Sequence, residues 1–220
     1  MLNINQLCVS LAGSPILRSL SLEIHSGTTI AVVGRNGAGK TTLLRSIMGL
    51  IPATSGEMHL GEQNLMLSPA YLRTSLGIGY APEDRVIFPT LSVQENLEMP
   101  CEILALSRQE IEERLAHVLD VVPQLKNMLS RSGAALSGGQ GKMVALGRAL
   151  MVGSSMVLLD EPFQGLAPAL ALQYSEALGR LRTSRPDLSV VITESNSALL
   201  TDIPNQILTI ERGSFVDAIH

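Results

Sequence analysis

The sequence predicts an α/β fold, because short apolar segments typical of buried strands alternate with helical patterns. An apolar run at 30–33 leads through a glycine-rich turn into a segment of helical periodicity, with an apolar stripe of Leu43, Leu44, Ile47 and Met48. A second run, 155–159, precedes a helix that Pro168 opens at its first position and that extends to about Arg182. A third run at 188–193 indicates the next strand. The 220 residues fit a single domain, 1–220.

Further strand pairs predict an antiparallel β subdomain beside this core. Leu2–Leu11 and 16–24 alternate like half-buried strands, and the residues between them, 13–15, predict a hairpin turn. Residues 56–65 indicate another strand pair, broken at 61–62. Shorter segments predict a helix at 69–75, a strand at 76–81, and two strands, 206–210 and 214–218, around a turn at 212–213.

A helical insert interrupts the alternating pattern from about residue 91 to 133. Ser92 with Glu95, and Ser107 with Glu110, have the spacing of capping boxes. Apolar residues then recur at helical intervals, namely Ile111, Leu115, Val118, Leu119 and Val122. Together with the helix that follows, the insert predicts a helical subdomain at about 91–152.

The glycine-rich turn has the pattern of a phosphate-binding loop, G-x-x-x-x-G-K-[ST]. Glycines let backbone N–H groups converge on a triphosphate, and the following helix directs its positive dipole end at the anion. Lys40 would reach the β- and γ-phosphates, and the Thr41 hydroxyl would bind Mg²⁺. The alternative is an ordinary glycine turn. The candidate ATP-binding residues are Gly34, Arg35, Asn36, Gly37, Ala38, Gly39, Lys40, Thr41 and Thr42.

Two acidic residues, Asp160 and Glu161, end the apolar strand at 155–159. A carboxylate at a strand end can bind Mg²⁺, and a second can activate or position an attacking water. We assign Asp160 to the metal, through water, and Glu161 as the base or water-positioning group. The alternative is a solvated turn or a helix N-cap.

A third motif, Leu136-Ser137-Gly138-Gly139-Gln140, precedes a helical pattern. Ser137 would cap that helix, and the two glycines would leave backbone donors at its positive end. The candidate residues are Ser137, Gly138, Gly139 and Gln140. A purely structural cap is the alternative for Ser137.

Composition restricts the partners. The net charge is −4 and no basic run occurs, which argues against nucleic acid as a partner. The two cysteines lack paired spacing, which favours reduced thiols in the cytosol. No run approaches the roughly 20 apolar residues of a membrane span. Hydrophobic residues nevertheless make up 45% of the chain, an excess that a large core or an apolar docking face would explain.

The motifs GRNGAGKTT, LSGGQ and LLDEP, in that order, resemble the nucleotide-binding subunit of an ABC transporter over nearly the whole chain. The segments GIGYAPEDRVIFPTLSVQENL and LLDEPFQGLAP are more narrowly similar to the ATPases of bacterial branched-chain amino acid importers and their urea or amide relatives. The resemblance implies a P-loop NTPase core with ATP and Mg²⁺ as cofactors. It also implies a cytoplasmic location, peripheral on the inner face of the cell membrane.

The resemblance further implies partners. Two such domains face each other head to tail, so Ser137, Gly138 and Gly139 would contact the γ-phosphate held by the loop of a second ABC ATPase subunit, identical or different. ATP closes this dimer and hydrolysis releases it, which moves the transmembrane permease subunits. The solute would not contact this chain.

Three residues depart from the family pattern. Glu83 stands where the family usually has a glutamine beside the metal, at the lip of the groove that receives the permease. Leu11 stands where an aromatic residue usually stacks on adenine, and Ser195 stands at the position of the switch histidine. A serine hydroxyl is shorter than imidazole and uncharged, which would slow hydrolysis at this site. The alternative is that the site works without the histidine, as in some importers that replace it.

Three functions therefore compete. The first is a transport ATPase that energises uptake of a small polar solute, such as a branched-chain amino acid. The second, motivated by Leu11 and Ser195, is a hydrolysis-poor subunit that regulates, or that donates its LSGGQ motif to a partner ATPase. The third is an ATPase acting on DNA or ribosomes, against which the net charge and the absence of a long coiled-coil insert argue.

Overall fold

A computed structural model describes residues 1–200 and 203–216, which form ten strands and five α-helices. The strands are β1 (Leu2–Leu11), β2 (Ser14–Ile24), β3 (Thr29–Val33), β4 (Ser55–Leu60), β5 (Gln63–Asn64), β6 (Ile78–Ala81), β7 (Met156–Asp160), β8 (Ser189–Glu194), β9 (Gln206–Glu211) and β10 (Ser214–Val216). The α-helices are α1 (Lys40–Ile47), α2 (Val93–Ile103), α3 (Arg108–Val121), α4 (Gly138–Val152) and α5 (Pro168–Ser184). Short 3₁₀ helices occur at Ala70–Leu72, Pro123–Asn127, Gly133–Ala135 and Ser197–Leu200.

The larger sheet has the strand order β10-β9-β3-β8-β7-β6, and all neighbours are parallel except β10 and β9. Every residue of β7 and β8 is buried, as expected for parallel strands covered on both faces. The predicted α/β fold is confirmed. Because parallel strands end at one edge, the carboxyl ends of β3, β7 and β8 meet, with Val33 paired to Glu194 and Asp160 to Thr193.

Side chains alternate between the two faces of this sheet and so build two apolar layers. On β7, Leu158 packs with α1 and the smaller sheet, whereas Val157 and Leu159 pack with α4, α5 and the helices of the 91–152 stretch. The core sheet is therefore held between the β subdomain with α1 on one side and the remaining helices on the other.

The smaller sheet is antiparallel, with the order β2-β1-β4-β5, which confirms the predicted β subdomain. The predicted hairpin turn at 13–15 is displaced, because Ser14 and Pro15 already pair with Leu11 and Ser10 within the sheet. Ala12 and Gly13 form the turn instead, with φ of 48° and 81°. Two consecutive positive φ angles match the twist of a two-residue hairpin.

The 91–152 stretch contains α2, α3 and α4, and the expected caps are present. Ser92 with Glu95, and Ser107 with Glu110, form complete capping boxes at the starts of α2 and α3. The helix expected at 69–75 is only the 3₁₀ turn Ala70–Leu72. The last predicted strand ends at Val216, and the rest of that prediction, including Ala218, lies outside the described residues.

Two glycine substitutions test how closely β6 and α4 pack. A Cβ added at Gly79 would lie 2.1 Å from the Ala149 carbonyl oxygen, whereas one added at Gly179 in α5 would meet nothing within 4 Å. We expect Gly79→Ala to lower the free energy of unfolding by about 2 kcal/mol or more, through the steric clash. Gly179→Ala should raise it by about 1 kcal/mol, because alanine favours a helix interior. Urea unfolding of both variants measures this, and equal stabilities would contradict the packing.

Candidate functional site

The loop between β3 and α1 requires glycine at two positions. Gly39 precedes α1 with φ of 111°, a backbone conformation that residues other than glycine rarely adopt. A Cβ at Gly34 would lie 2.3 Å from the Ile210 carbonyl oxygen. The loop therefore curls against β9, and the free N–H groups at the start of α1 remain available to an anion.

A cavity of about 280 Å³ opens over this loop. Several of the predicted residues lie in its wall, together with one that was not predicted: Ile16, Asn36, Gly37, Gly39, Lys40, Thr41, Thr42, Glu83 and Glu161. Arg35 and Ala38 shape the loop through their backbones, because Arg35 O accepts from Ala38 N at 3.0 Å. Leu11 is 41% exposed and is absent from this wall, whereas Ile16 on the same hairpin is present.

Lys40 is buried and points its charge into the site. Its Nζ donates to the carbonyl oxygens of Gly34 at 2.6 Å and Arg35 at 3.1 Å. The same Nζ lies 3.1 Å from Glu161 Oε1, and both side chains are about 95% buried, with exposures of 4% and 5%. The loop and the end of β7 are therefore joined by an ion pair shielded from water.

Glu161 has a strained backbone, with φ of 48°. Its N–H faces Thr193 on β8, 3.1 Å from the carbonyl oxygen and 3.2 Å from the hydroxyl, and its carbonyl accepts from Lys142 Nζ. Burial raises the pKa of the Glu161 carboxyl, but the hydrogen bonds from Ser195 and Lys40 and the charge of Lys40 outweigh it, so the pKa lies below its ordinary value. Glu161 is thus held as a carboxylate.

Ser195 lies between the acid and the loop. Its backbone N–H donates to Glu161 Oε2 at 3.2 Å. Its Oγ lies 2.6 Å from Glu161 Oε1, 2.7 Å from Asn36 Oδ1 and 3.1 Å from Lys40 Nζ. A hydroxyl has one proton, so if it donates to Glu161, the Asn36 amide must turn to present its NH₂ group. All three neighbours are then satisfied.

Asp160 accepts three hydrogen bonds. Its Oδ1 accepts from Thr41 Oγ1 at 3.0 Å and Thr193 Oγ1 at 2.8 Å, and its Oδ2 accepts from Tyr80 at 3.1 Å. Burial and the Asp160 charge raise the pKa of the Tyr80 hydroxyl, which therefore remains a donor at neutral pH. One carboxylate beside one hydroxyl suits Mg²⁺, which takes few protein oxygens and completes its shell with phosphates and water. Glu83 lines the cavity without a hydrogen bond among the described residues.

The LSGGQ residues lie outside the cavity wall. Ser137 and Gln140 form a capping box at the start of α4, with Gln140 N donating to Ser137 Oγ at 3.3 Å and Ser137 N donating to Gln140 Oε1 at 3.0 Å. Gly138 lines a separate groove with Lys142. A Cβ at Gly139 would lie 2.3 Å from Leu170 Cδ1, so this glycine serves packing against α5.

A second acid, Glu194, lies behind Glu161 and was not predicted to matter. It is 1% exposed, and its Oε1 accepts from Phe163 N at 2.8 Å. Burial raises the pKa of the Glu194 carboxyl to about 7, and the nearby Glu161 charge adds to the increase. No local motif signals Glu194, because its effect depends on burial in β8.

The ABC transporter family model matches residues 17–164. The chain belongs to the ABC transporter family. It is 34% identical over 181 residues to a probable branched-chain amino acid transport ATP-binding protein, LivF, of Archaeoglobus fulgidus, covering 82% of this chain and 75% of that one. It is 33% identical over 198 residues to the maltose/maltodextrin import protein MalK of Escherichia coli K12, covering 90% of this chain and 52% of MalK. The chain thus spans about half of MalK.

Two solved ATP-binding cassettes have the same fold. One is a dimeric post-hydrolysis state bound to ADP and phosphate, with a TM-score of 0.86 and 22% identity over 99% of this chain and 97% of that one. The other is an ADP conformation, with a TM-score of 0.82 and 23% identity over 98% and 89% of the two chains. At these identities the likeness concerns the fold alone.

As a member of this family, the chain is an ABC-type ATPase that uses ATP and Mg²⁺. None of the described helices has the length and apolar character of a membrane span.

The raised pKa of Glu194 predicts a pH-dependent stability. Above about pH 7 the folded chain must bury a charged carboxylate, whereas below the ordinary value of 4.5 it buries a neutral acid. This group's contribution to stability is therefore lost as the pH rises between these values. We expect Glu194→Gln to raise the free energy of unfolding by about 2 kcal/mol at pH 8 and far less at pH 5. Denaturant unfolding at both pH values measures this, and a pH-independent difference would contradict the assignment.

Proposed function

We propose that this chain binds MgATP and hydrolyses it to drive import of a small polar solute through separate membrane subunits. The observation that carries the proposal is the contact network at one cavity: Lys40, Thr41 and Glu161 lie in its wall, Ser195 bonds to Glu161, and Asp160 bonds to Thr41. The cavity joins a cationic cradle for phosphates to a carboxylate that can act on water.

Lys40 is the first group that ATP must recruit. Nucleotide phosphates would compete with Glu161 for its ammonium group, and the start of α1 would hold the phosphates by backbone N–H groups. Mg²⁺ held by Thr41 and Asp160 would neutralise developing phosphate charge. Once Lys40 turns to the phosphates, Glu161 retains Ser195 as a partner, which can orient it toward the attacking water.

We infer that hydrolysis requires a second ATPase subunit. Ser137 and Gly138 are exposed at the start of the fifteen-residue helix α4, and they take no part in their own chain's cavity. A helix start with free N–H groups attracts phosphate. A phosphate held by a facing partner's loop is the ligand that this arrangement favours.

The membrane partner is proposed to dock in an apolar groove beside the cavity. The groove, of about 430 Å³, lies between the core and the 91–152 stretch, which we propose moves as one subdomain. Leu50 and Val86 line it and are 56% and 51% exposed. Exposed apolar side chains at a concave surface are typical of protein docking sites. This would keep the chain on the cytoplasmic face of the membrane.

The solute class rests on the relatives. LivF supports a branched-chain amino acid, whereas MalK, matched over more of this chain, supports a sugar. Uptake of leucine and of maltose by the reconstituted transporter distinguishes them.

A hydrolysis-poor role is the second candidate, and the bonding of Ser195 favours it. Lys40 and Ser195 both contact the Glu161 carboxylate, so the proposed base is already engaged by two partners. In that case this chain would mainly donate its LSGGQ residues to a partner's ATP.

Two substitutions separate nucleotide binding from hydrolysis. We expect Lys40→Ala to weaken ATP binding and to lower turnover by roughly 100-fold or more, because the phosphates lose their main cation. Glu161→Gln should lower turnover by a similar factor of roughly 100, yet bind ATP at least as tightly, because Lys40 is released from its ion pair. Fluorescent-nucleotide titration and phosphate release measure the two effects.

If the turnover of Lys40→Ala equals that of the wild type, the proposed phosphate site is wrong.

Single-turnover hydrolysis in a mixed pair, with Glu161→Gln in this chain alone, separates the two candidate functions. A collapse of total turnover excludes the hydrolysis-poor role, and near-normal turnover excludes the first.

A matched pair of surface variants tests the docking groove. Leu50→Glu should abolish permease stimulation and weaken association roughly tenfold, because it buries a charge in an apolar contact. Leu172 on α5 is 62% exposed and is absent from the groove, so Leu172→Glu should stay within about twofold of wild type. Co-purification with the permease and the ATPase rate measure both variants, and equal behaviour would exclude this groove as the docking site.

A further inference from the structure

A second concave site lies at the far end of α4, where α3 and α5 approach it. The pocket has a volume of about 250 Å³ and shares no lining residue with the nucleotide cavity. Its polar walls come from α3 through Arg114 and His117, from the turn after α4 through Ser154, and from the residue after α5, Arg185. The pocket therefore lies between the 91–152 stretch and the end of α5.

Two arginines are fixed at this pocket. Arg114 Nη1 donates to Met151 O at 2.8 Å, and Arg185 Nη2 donates to Ser154 O at 3.0 Å. Each guanidinium has five N–H donors, so one bond leaves most of its capacity unused. Over residues 1–200 and 203–216, neither arginine pairs with a carboxylate.

His117 adds a third polar group. Its Nε2 is buried and has no hydrogen-bond partner in the described part of the chain. Burial lowers the pKa of the His117 ring, the Arg185 charge lowers it further, and Asp120 opposes both effects. The ring is therefore neutral at pH 7, and its buried nitrogen lacks the partner that such atoms nearly always have.

 The pocket wall carries more positive than negative charge, with two arginines and one acid. The acid in the wall, Glu113, forms no ion pair with either arginine among the described residues, and its Oε1 accepts instead from Gln109 Nε2 at 2.9 Å. By contrast, Arg108 on the same helix forms an ion pair with Glu98 at 2.8 Å. Two unpaired guanidinium groups in one pocket favour an anionic ligand.

Helix capping is the simpler explanation of the two arginines. Cations near the last carbonyl groups of a helix stabilise it, and Met151 O and Ser154 O lie at the end of α4. Capping accounts for one N–H group of each arginine. It leaves the His117 nitrogen without a partner and the charge of the pocket unbalanced.

We propose that this pocket binds a small dianion, such as a phosphate or a dicarboxylate, between Arg114, His117 and Arg185. A guanidinium group can donate two parallel hydrogen bonds to either a phosphate or a carboxylate. The pocket volume restricts the ligand to a small molecule. A bound dianion would tie α3 to the end of α5. It would therefore restrain movement of the helical stretch against the core.

The ring signals of His117 in an NMR titration test this site directly. Inorganic phosphate and succinate are the probes, added at constant ionic strength with MgADP present to fill the phosphate loop. We expect saturable shifts of the His117 signals at about millimolar concentration, with those of His25 and His59 unchanged. The anion with the lower midpoint identifies the preferred headgroup.

Three variants make the test specific. Arg114→Gln and Arg185→Gln should each raise the midpoint roughly tenfold, because each removes a charged donor. Arg131→Gln is the matched control, since Arg131 also donates to one carbonyl, Ala135 O at 2.8 Å, and lies outside the pocket. If Arg114→Gln does not fold, Arg185→Gln carries the test. Absence of a saturable shift, or an unchanged midpoint in Arg185→Gln, would overturn the proposal.

Discussion

The buried ion pair between Lys40 and Glu161 is the interaction on which the site depends. An ammonium group withdrawn from water is strongly destabilising unless a partner compensates it. Here Glu161 supplies that partner at 3.1 Å, and two loop carbonyls complete the shell. The charge of Lys40 in the phosphate loop is therefore compensated by an acid at the end of β7.

The parallel sheet supplies this proximity. β3, β8 and β7 are neighbours, so the loop that follows β3 and the acids at the end of β7 reach the same edge on either side of β8. Thr193 on β8 then bonds both to Asp160 and to the strained backbone of Glu161. The strain is held by neighbours, which is typical of functional positions.

Local signals allowed much of the fold to be predicted. The capping boxes at Ser92 and Ser107, the phosphate loop and the helix opened by Pro168 each depend on a few adjacent residues, and the structure has all of the corresponding elements. The prediction of a hairpin turn at 13–15 was wrong. Proline between two strands is typical of a turn, yet Pro15 lies in a strand and Ala12 adopts the positive φ. The identity of the turn residues depended on the pairing register, which the local pattern does not specify.

Contacts between distant segments could not be predicted in the same way. Thr193 and Tyr80 reach Asp160 only because their strands flank β7, and strand order is a property of the whole sheet. Ile16, rather than Leu11, lines the cavity because the hairpin contacts the loop through Ile16 and Leu17, which lie next to Gly39. Glu194 has no sequence signal, since its raised pKa is a consequence of burial.

A crystal structure of the chain with Mg²⁺ and a non-hydrolysable ATP analogue tests the central role of the Lys40–Glu161 pair most directly. We expect Lys40 Nζ to leave Glu161 for the phosphate oxygens, with the Lys40–Glu161 distance increasing from 3.1 Å and Ser195 still bonded to Glu161. A nucleotide bound over the loop while the 3.1 Å ion pair persists would contradict this role.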